Sequence, residues 1–165
     1  MSRLDSFIAR MTAQRDCLNA LKERVDRLPG PILEVGLGNG RTYDHLREIF
    51  PGRDIYVFER QVAAHYTCIP PADRLFGGEA REAFERAARQ LGATAALIHT
   101  DLGIGVAEDT AATGEWLGPG LDRLAREGGY VLSNQPLKVS RWERLPVPAS
   151  VPADRYFLYR VSGGR

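Results

Sequence analysis

The sequence contains little cysteine, almost no net charge and no long apolar segment. Its 165 residues include two cysteines, Cys17 and Cys68, which we do not expect to form a structural disulfide in a chain without a secretory signal. The formal net charge of +1 carries no electrostatic signature of binding to nucleic acid or to an anionic membrane. No apolar run approaches the ~20 residues that span a membrane. We therefore expect a cytoplasmic protein without membrane or nucleic-acid partners.

What is present is typical of one globular domain. Hydrophobic residues make up 44% of the chain and charged residues 26%. A chain of this length buries ~70% of its unfolded surface on folding, which is enough for a sizeable core. The composition predicts a single domain but indicates no particular function, which has to be inferred from the sequence motifs.

The most informative segment lies between residues 32 and 42. An apolar run beginning at Ile32 is followed by glycines at alternate positions, Gly36, Gly38 and Gly40, and then by a polar stretch compatible with a helix. Glycine permits positive φ and lets a ligand approach the backbone closely. The first amides of a helix offer free donors to an anionic or polar ligand. The pattern predicts a buried strand, a glycine turn and a helix start that together bind a ligand.

A second acid supports this interpretation. The next strand candidate ends in Glu59, roughly 20 positions after the glycines, where nucleoside-binding α/β folds place an acid that accepts hydrogen bonds from ribose hydroxyls. The segment Glu34-Val-Gly-Leu-Gly-Asn-Gly40 followed by Glu59 resembles the class I S-adenosylmethionine-dependent methyltransferases, over about residues 30–135. A nicotinamide-binding motif would need a glycine where the chain has Arg41. The missing glycine makes an NAD-binding oxidoreductase the less favoured alternative. A non-catalytic S-adenosylmethionine-binding protein is a further alternative.

Predicted helices and strands alternate along the chain. We expect helices at 3–28, 42–50, 79–91 and about 106–127, and strands at 32–35, 54–58, 73–76, 94–100, 130–132, within 139–147 and at 156–161. This order predicts an α/β fold with a mostly parallel sheet, helices on both faces and a C-terminal antiparallel hairpin. The resemblance implies a seven-stranded Rossmann-like methyltransferase fold. We expect one methyltransferase domain over 1–165: an N-terminal helix (1–29), a cofactor-binding core (30–135) and a C-terminal hairpin (136–165).

The resemblance also implies which residues bind S-adenosylmethionine. Glu34 would meet the positively charged methionine end, and Glu59 would hold the ribose. The turn Gly78-Glu79-Ala80 resembles the place where the family's acid accepts from the adenine amino group, although the family often has Asp there and Glu79 also suits a helix N-terminus. The expected cofactor-binding set is Glu34, Gly36, Gly38, Asn39, Gly40, Glu59, Arg60, Gly78, Glu79, Ala80 and Asp101.

His99 and Asp101 end the fourth predicted strand, beneath the expected position of the methyl group. Methyl transfer requires a nucleophile that is aligned and whose lone pair is free. Either side chain can accept a proton from a hydroxyl or an amine, so both are candidate catalytic residues. They lie two positions apart and share a strand face if the strand is regular. For His99 we favour the alternative of a hydrogen-bonded core histidine.

Two further sequence features concern metal binding and the class of methyl acceptor. Asp101 and Asn134 at neighbouring strand tips offer the oxygen ligands that magnesium prefers, but metal-dependent O-methyltransferases supply more acids, so we expect no metal. DNA and protein amino-methyltransferases of this fold commonly carry Asn/Asp-Pro-Pro-aromatic after the fourth strand, where this chain has Asp101-Leu-Gly-Ile104. We therefore expect a small-molecule acceptor, whose identity the sequence does not specify.

The first predicted helix carries a seven-residue repeat, which suits a helix packed lengthwise against another helix. A broader apolar face would also suit packing against the chain's own sheet. We expect a homo-oligomer, specifically a dimer, through residues 4–28. The repeat consists of Leu4, Met11, Leu18 and Val25, with a second register of Phe7, Leu21 and Leu28 that Gln14 interrupts, and with Ile8 and Cys17 widening the stripe.

Overall fold

The chain folds around a seven-stranded sheet. The computed structural model describes residues 1–102 and 107–164, with side chains in the second range described from residue 112 onward. The strands are β1 Ile32–Val35, β2 Ile55–Glu59, β3 Leu75–Gly77, β4 Ala95–Thr100, β5 Ala125–Ser133, β6 Trp142–Leu145 and β7 Phe157–Val161. The helices are α1 Arg3–Asp26, α2 Arg41–Ile49, α3 Ala80–Leu91 and α4 Ala107–Asp122, with short 3₁₀ turns at Tyr66–Cys68 and Ala72–Arg74.

The strand order is β3-β2-β1-β4-β5-β7-β6. The first five strands in this order pair in parallel, while β7 runs antiparallel to both β5 and β6. The predicted α/β fold, with its mostly parallel seven-stranded sheet and C-terminal antiparallel hairpin, is therefore confirmed. From β1 the strand order runs outward through β2 and β3 on one side of the sheet and through β4 and β5 on the other. Ligands of such folds bind in the crevice at the carboxyl ends of the two strands where the order reverses, here β1 and β4.

Two hydrophobic clusters cover the two faces of the sheet. One packs α1 and α2 against alternate strand residues such as Ile32 and Leu97. The other packs α3 and α4 against their neighbours Leu33 and Ile98. Because side chains in a strand point alternately to opposite faces, consecutive apolar residues in β1 and β4 serve both layers. This explains why these parallel strands read as continuous apolar runs in the sequence.

The N-terminal helix packs on its own sheet through its C-terminal half. Leu18, Leu21 and Val25 are fully buried in the first cluster. The N-terminal half differs, because Leu4 and Ile8 remain 66% and 53% exposed. The apolar stripe of α1 is thus divided into two parts. Residues 18–25, which belong to the predicted dimer surface, pack against the chain's own sheet.

The boundary between α4 and β5 differs from the prediction. The sequence predicts a helix to about residue 127 and a strand at 130–132, but α4 ends at Asp122 and β5 begins at Ala125. Gly128 and Gly129 lie within β5, at an irregularity where Ala95 aligns with Ala125 but Leu97 aligns with Tyr130. Glycines are common at such bulges, and in a sequence they resemble the end of a helix.

Within the described residues, no helix combines the length and the apolar character needed to cross a membrane. The two cysteines, Cys17 and Cys68, are both free and buried.

Candidate functional site

A cleft of about 810 Å³ opens at the carboxyl ends of β1, β2 and β4. Its volume lies within the ~300–1,000 Å³ range of small-molecule sites. Nine of the predicted site residues line it: Gly36, Gly38, Asn39, Glu59, Arg60, Gly78, Glu79, Ala80 and Asp101. The structure places the other three, Glu34, Gly40 and His99, off the lining. Glu34 and His99 are almost fully buried, and Gly40 is buried beside Cys68.

The three glycines of the turn after β1 serve different purposes. A Cβ on Gly36 would lie 3.0 Å from the backbone oxygen of Asp101, so this glycine lets the ends of β1 and β4 approach. A Cβ on Gly40 would lie 2.4 Å from Cβ of Cys68, which makes Gly40 a packing residue. Gly38 has φ of +51° and nothing within 4 Å of an added Cβ. Only at Gly38 does the missing side chain leave open space over the cleft for a ligand.

Glu59 holds the glycine turn in place. Its Oε2 accepts hydrogen bonds from the backbone amides of Leu37 at 2.9 Å and Gly38 at 3.2 Å, and its Oε1 accepts from the amide of Gln61 at 3.2 Å. Hydrogen bonds to a charged group are typically worth about 1.5–3 kcal/mol each when they are not fully exposed. The acid at the tip of β2 therefore shapes the ligand-binding turn.

The far end of the cleft lies at the start of α3. Arg60 and Glu79 form an ion pair at 3.1 Å, with both side chains mostly exposed, so the pair contributes little to stability. Glu79 is the N-cap residue of α3 but its side chain makes no capping hydrogen bond, which leaves it directed at Arg60. The cleft is also lined by apolar side chains: Phe58, Ala83, Leu102 and Trp116.

Asp101 lies between two amide side chains at the centre of the cleft. Its Oδ1 accepts a hydrogen bond from Nδ2 of Asn134 at 2.7 Å, and its Oδ2 accepts a short one from Nε2 of Gln14. Gln14 also accepts from the hydroxyl of Thr42 at 3.3 Å. The Asn134 amide thus turns its nitrogen toward the carboxylate. Among the described residues there is no cluster of three or more His, Cys, Asp or Glu side chains that could hold a metal ion.

Glu34 and His99 form a buried pair below the cleft floor. They face each other on the adjacent parallel strands β1 and β4, with Nδ1 of His99 2.7 Å from Oε2 of Glu34. Burial opposes the charged imidazolium, but the nearby Glu34 carboxylate and its hydrogen bond outweigh burial and raise the pKa of His99. Burial raises the pKa of Glu34, against the opposing influence of His99. Both raised pKa values favour a proton bound to the pair, and neither side chain lines the cleft.

Five lining residues on α1 and α2 did not emerge from the sequence as site residues: Arg10, Met11, Gln14, Arg41 and Thr42. One signal was available, because Gln14 is a polar residue at an apolar position of the helical stripe. The arginines carried none, being two among many scattered along the chain. Contacts between α1 and Asp101 join residues 87 positions apart, which no local motif reveals.

Comparisons with known proteins agree with this geometry. A family model described as S-adenosyl-L-methionine methyltransferase matches residues 1–161. The crystal structure of an S-adenosyl-L-methionine methyltransferase from Silicibacter pomeroyi is 41% identical and has a TM-score of 0.93, and the match covers 98% of this chain and 99% of that one. A search of curated proteins found no match.

Two more distant structures share the fold alone. Human methyltransferase-like protein 13 in complex with SAH is 15% identical with a TM-score of 0.55, and the match covers 96% of this chain and 80% of that one. The SAH-bound Podospora anserina methyltransferase PaMTH1 is 18% identical with a TM-score of 0.57, and the match covers 99% of this chain and 80% of that one. None of these findings supports the NAD-binding alternative.

Proposed function

The chain belongs to the S-adenosyl-L-methionine methyltransferase family, and from this premise we propose that its methyl acceptor is a small molecule bound beside α1. One observation carries this proposal. Gln14 of α1 reaches over the cleft to bond Asp101, so a helix of the chain itself covers the centre of the site. The space that remains suits a small acceptor better than a folded macromolecular surface.

We assign the cofactor to the part of the cleft between the glycine turn and α3. The open space over Gly38 gives the methionine portion close contact with the backbone, and Asn39 lies beside it. Glu59 is the group for the ribose hydroxyls, and it shares its oxygens with the turn that it holds. Gly78, Ala80 and the Arg60–Glu79 pair form the end that would take the adenine.

Asp101 is the catalytic residue in this proposal. When bound, S-adenosylmethionine supplies an electrophilic methyl group on a cationic sulfur. Asp101 accepts the hydrogen of the acceptor's nucleophilic atom and so orients its lone pair toward that methyl group, while Gln14 and Asn134 hold the carboxylate in place. His99 and Glu34 then act as positioning residues, because their pairing fixes β1 beside β4 from below.

Radiolabelled methyl transfer tests the proposal. The purified protein is incubated with methyl-labelled S-adenosylmethionine and either a small-molecule extract or the protein and nucleic-acid fractions of the same cells. We expect label in the small-molecule fraction only, and none with an Asp101→Asn variant that still binds SAH. Label in macromolecules would contradict the small-molecule acceptor, and binding without transfer to any fraction would favour a non-catalytic protein.

We further propose that the protein works in the cytoplasm and as a dimer. The two cysteines are free thiols, as expected in a reducing compartment. For the dimer, the part of α1 that stays available is its N-terminal half, where Leu4, Phe7 and Ile8 are exposed. Pairing of this short stripe across a two-fold axis would bury it and bring a second chain near the cleft entrance.

A further inference from the structure

Two arginines at the α1–α2 end of the cleft flank a single aromatic ring. The guanidinium carbon of Arg10 lies 5.9 Å from the ring centre of Phe7, and that of Arg41 lies 5.4 Å from the same centre. Both arginines line the cleft. Because Phe7 and Arg10 lie on α1 and Arg41 is the first residue of α2, both guanidinium groups lie where α1 meets the start of α2.

Neither guanidinium has an anionic partner within the described parts of the chain. Some other arginines are paired, as Arg15 is with Asp16, Arg47 with Asp44 and Arg60 with Glu79. Arg10 and Arg41 form no ion pair and no hydrogen bond among residues 1–102 and 112–164, although both line the cleft. An anion held by both side chains would supply the counter-charge that these two cations lack among the described residues.

Asp101 also lines the cleft but forms no ion pair with either arginine; its two oxygens accept hydrogen bonds from the amides of Gln14 and Asn134. The remaining carboxylates of the lining, Glu59, Glu79 and Glu82, belong to β2 and the start of α3. They share that end of the cleft with Arg60 and Arg81, so both signs of charge are present there. The lining residues on α1 and α2 include two arginines and no carboxylate.

We propose that the methyl acceptor is a small organic anion whose carboxylate or phosphate group is held by Arg10 and Arg41. This rests on the proposed function. A guanidinium offers a planar fork of donors that matches either group. Arg10 stands four residues before Gln14 on α1, so the two side chains share one face of the helix about one turn apart, and Gln14 contacts the catalytic carboxylate of Asp101. That spacing fits a compact acid whose nucleophilic atom reaches Asp101.

Binding of simple anions tests this proposal without requiring the true acceptor. Calorimetry measures the affinity of benzoate and inorganic phosphate, with neutral benzamide as the control ligand, for the free protein and for the protein saturated with SAH. Variants are Arg10→Met, Arg41→Met and the double variant, which keep the apolar stem of each side chain. Arg24→Met removes an exposed arginine from the same helix and is the matched control.

We expect benzoate or phosphate to bind and benzamide not to bind. The double variant should lose at least about tenfold in anion affinity, the usual loss for hydrogen bonds to a charged group, and each single variant at least about threefold. SAH affinity should stay within about twofold of wild type in all variants, and Arg24→Met should behave as wild type.

Three results would overturn the proposal. Benzamide could bind as well as the anions, or the double variant could keep its anion affinity. SAH affinity could also fall together with anion affinity, which would assign the arginines to the cofactor's own carboxylate. Failure of the wild type to bind SAH would instead count against the proposed function. In that case the anion affinities of the free protein would still decide whether Arg10 and Arg41 bind an anion.

Discussion

Replacing Glu34 by glutamine should reverse the pH dependence of the protein's stability. In the wild type the pKa of His99 is raised, because the Glu34 carboxylate 2.7 Å away outweighs the effect of burial. A group whose folded-state pKa is raised adds stability below its unfolded pKa and loses it as pH rises through the folded pKa. The wild-type free energy of unfolding should therefore fall as pH increases above about 6.5, the ordinary histidine value.

The Glu34→Gln variant keeps the shape of the pair but removes the negative charge. Burial of His99 then acts without a carboxylate partner in contact, and burial lowers a histidine pKa. The variant should gain stability as pH rises through about 6.5, where the wild type loses it. With His99 0% and Glu34 1% exposed, removing one partner of such a pair should cost about 3–5 kcal/mol at acidic pH. In a chain of this size that lowers the melting temperature by roughly 6–20 °C.

Urea denaturation between pH 5.5 and 8.5 measures these slopes directly. His45→Gln is the control, because it removes another histidine, which bonds Asn19 of α1 rather than an acid. Its pH profile should match the wild type. A difference between wild type and Glu34→Gln that stays constant across this range would show that the pair does not share a proton and would refute the reasoning.

Four other outcomes are expected. Glu59→Ala should weaken SAH binding by about 1.5–3 kcal/mol, roughly 10- to 150-fold by calorimetry, and an unchanged affinity would place the ribose elsewhere. Gly38→Asn, which tolerates the φ of +51°, should lose SAH binding while melting near the wild-type temperature, whereas Gly52→Asn, in an exposed turn, should bind normally; equal binding by both would refute the open space as a ligand site. Once an acceptor is known, methyl transfer should survive a chelator, and activity restored by added magnesium would contradict a metal-free reaction. Leu4→Glu/Ile8→Glu should convert dimers to monomers in light scattering without lowering the melting temperature, and a monomeric wild type would rule the dimer out.

The glycine-turn end of the cleft could be predicted because its parts are local in the sequence. One strand, one glycine turn and the next strand tip span residues 32–59, and their spacing reflects a single βαβ unit. The same spacing cannot say which glycine faces the ligand. Gly36 and Gly40 are set by close contacts with Asp101 and Cys68, which lie farther along the chain. Only the folded structure shows that an added Cβ would meet no neighbour at Gly38.

Roles that depend on strand register could not be predicted. Glu34 and His99 looked like separate candidates, one for the cofactor and one for catalysis. They become partners because β1 and β4 pair in parallel with these two residues opposite each other. A shift of one residue in this pairing would have placed His99 opposite Leu33 or Val35 and left Glu34 buried without a partner, which is the more costly arrangement. The acid therefore contributes to specifying the register, a role that no motif spacing reveals.

The first helix shows why an apolar period does not identify its partner. A stripe repeating every seven residues packs equally well against another helix or against a sheet, so Leu18 and Val25 were compatible with both. The decisive residue is Gln14, which interrupts the stripe and would be left without its partners in a purely apolar helix interface. In the fold it bonds Asp101 and Thr42, so α1 is held to its own chain at the centre of the cleft. Beyond Gln14 toward the N-terminus this constraint ends, and there Arg10 faces the cleft while Leu4 and Ile8 face away from the core. One helix thus supplies core packing, a contact to Asp101 and a charged side chain on the cleft lining, in that order from its C-terminus to its N-terminus.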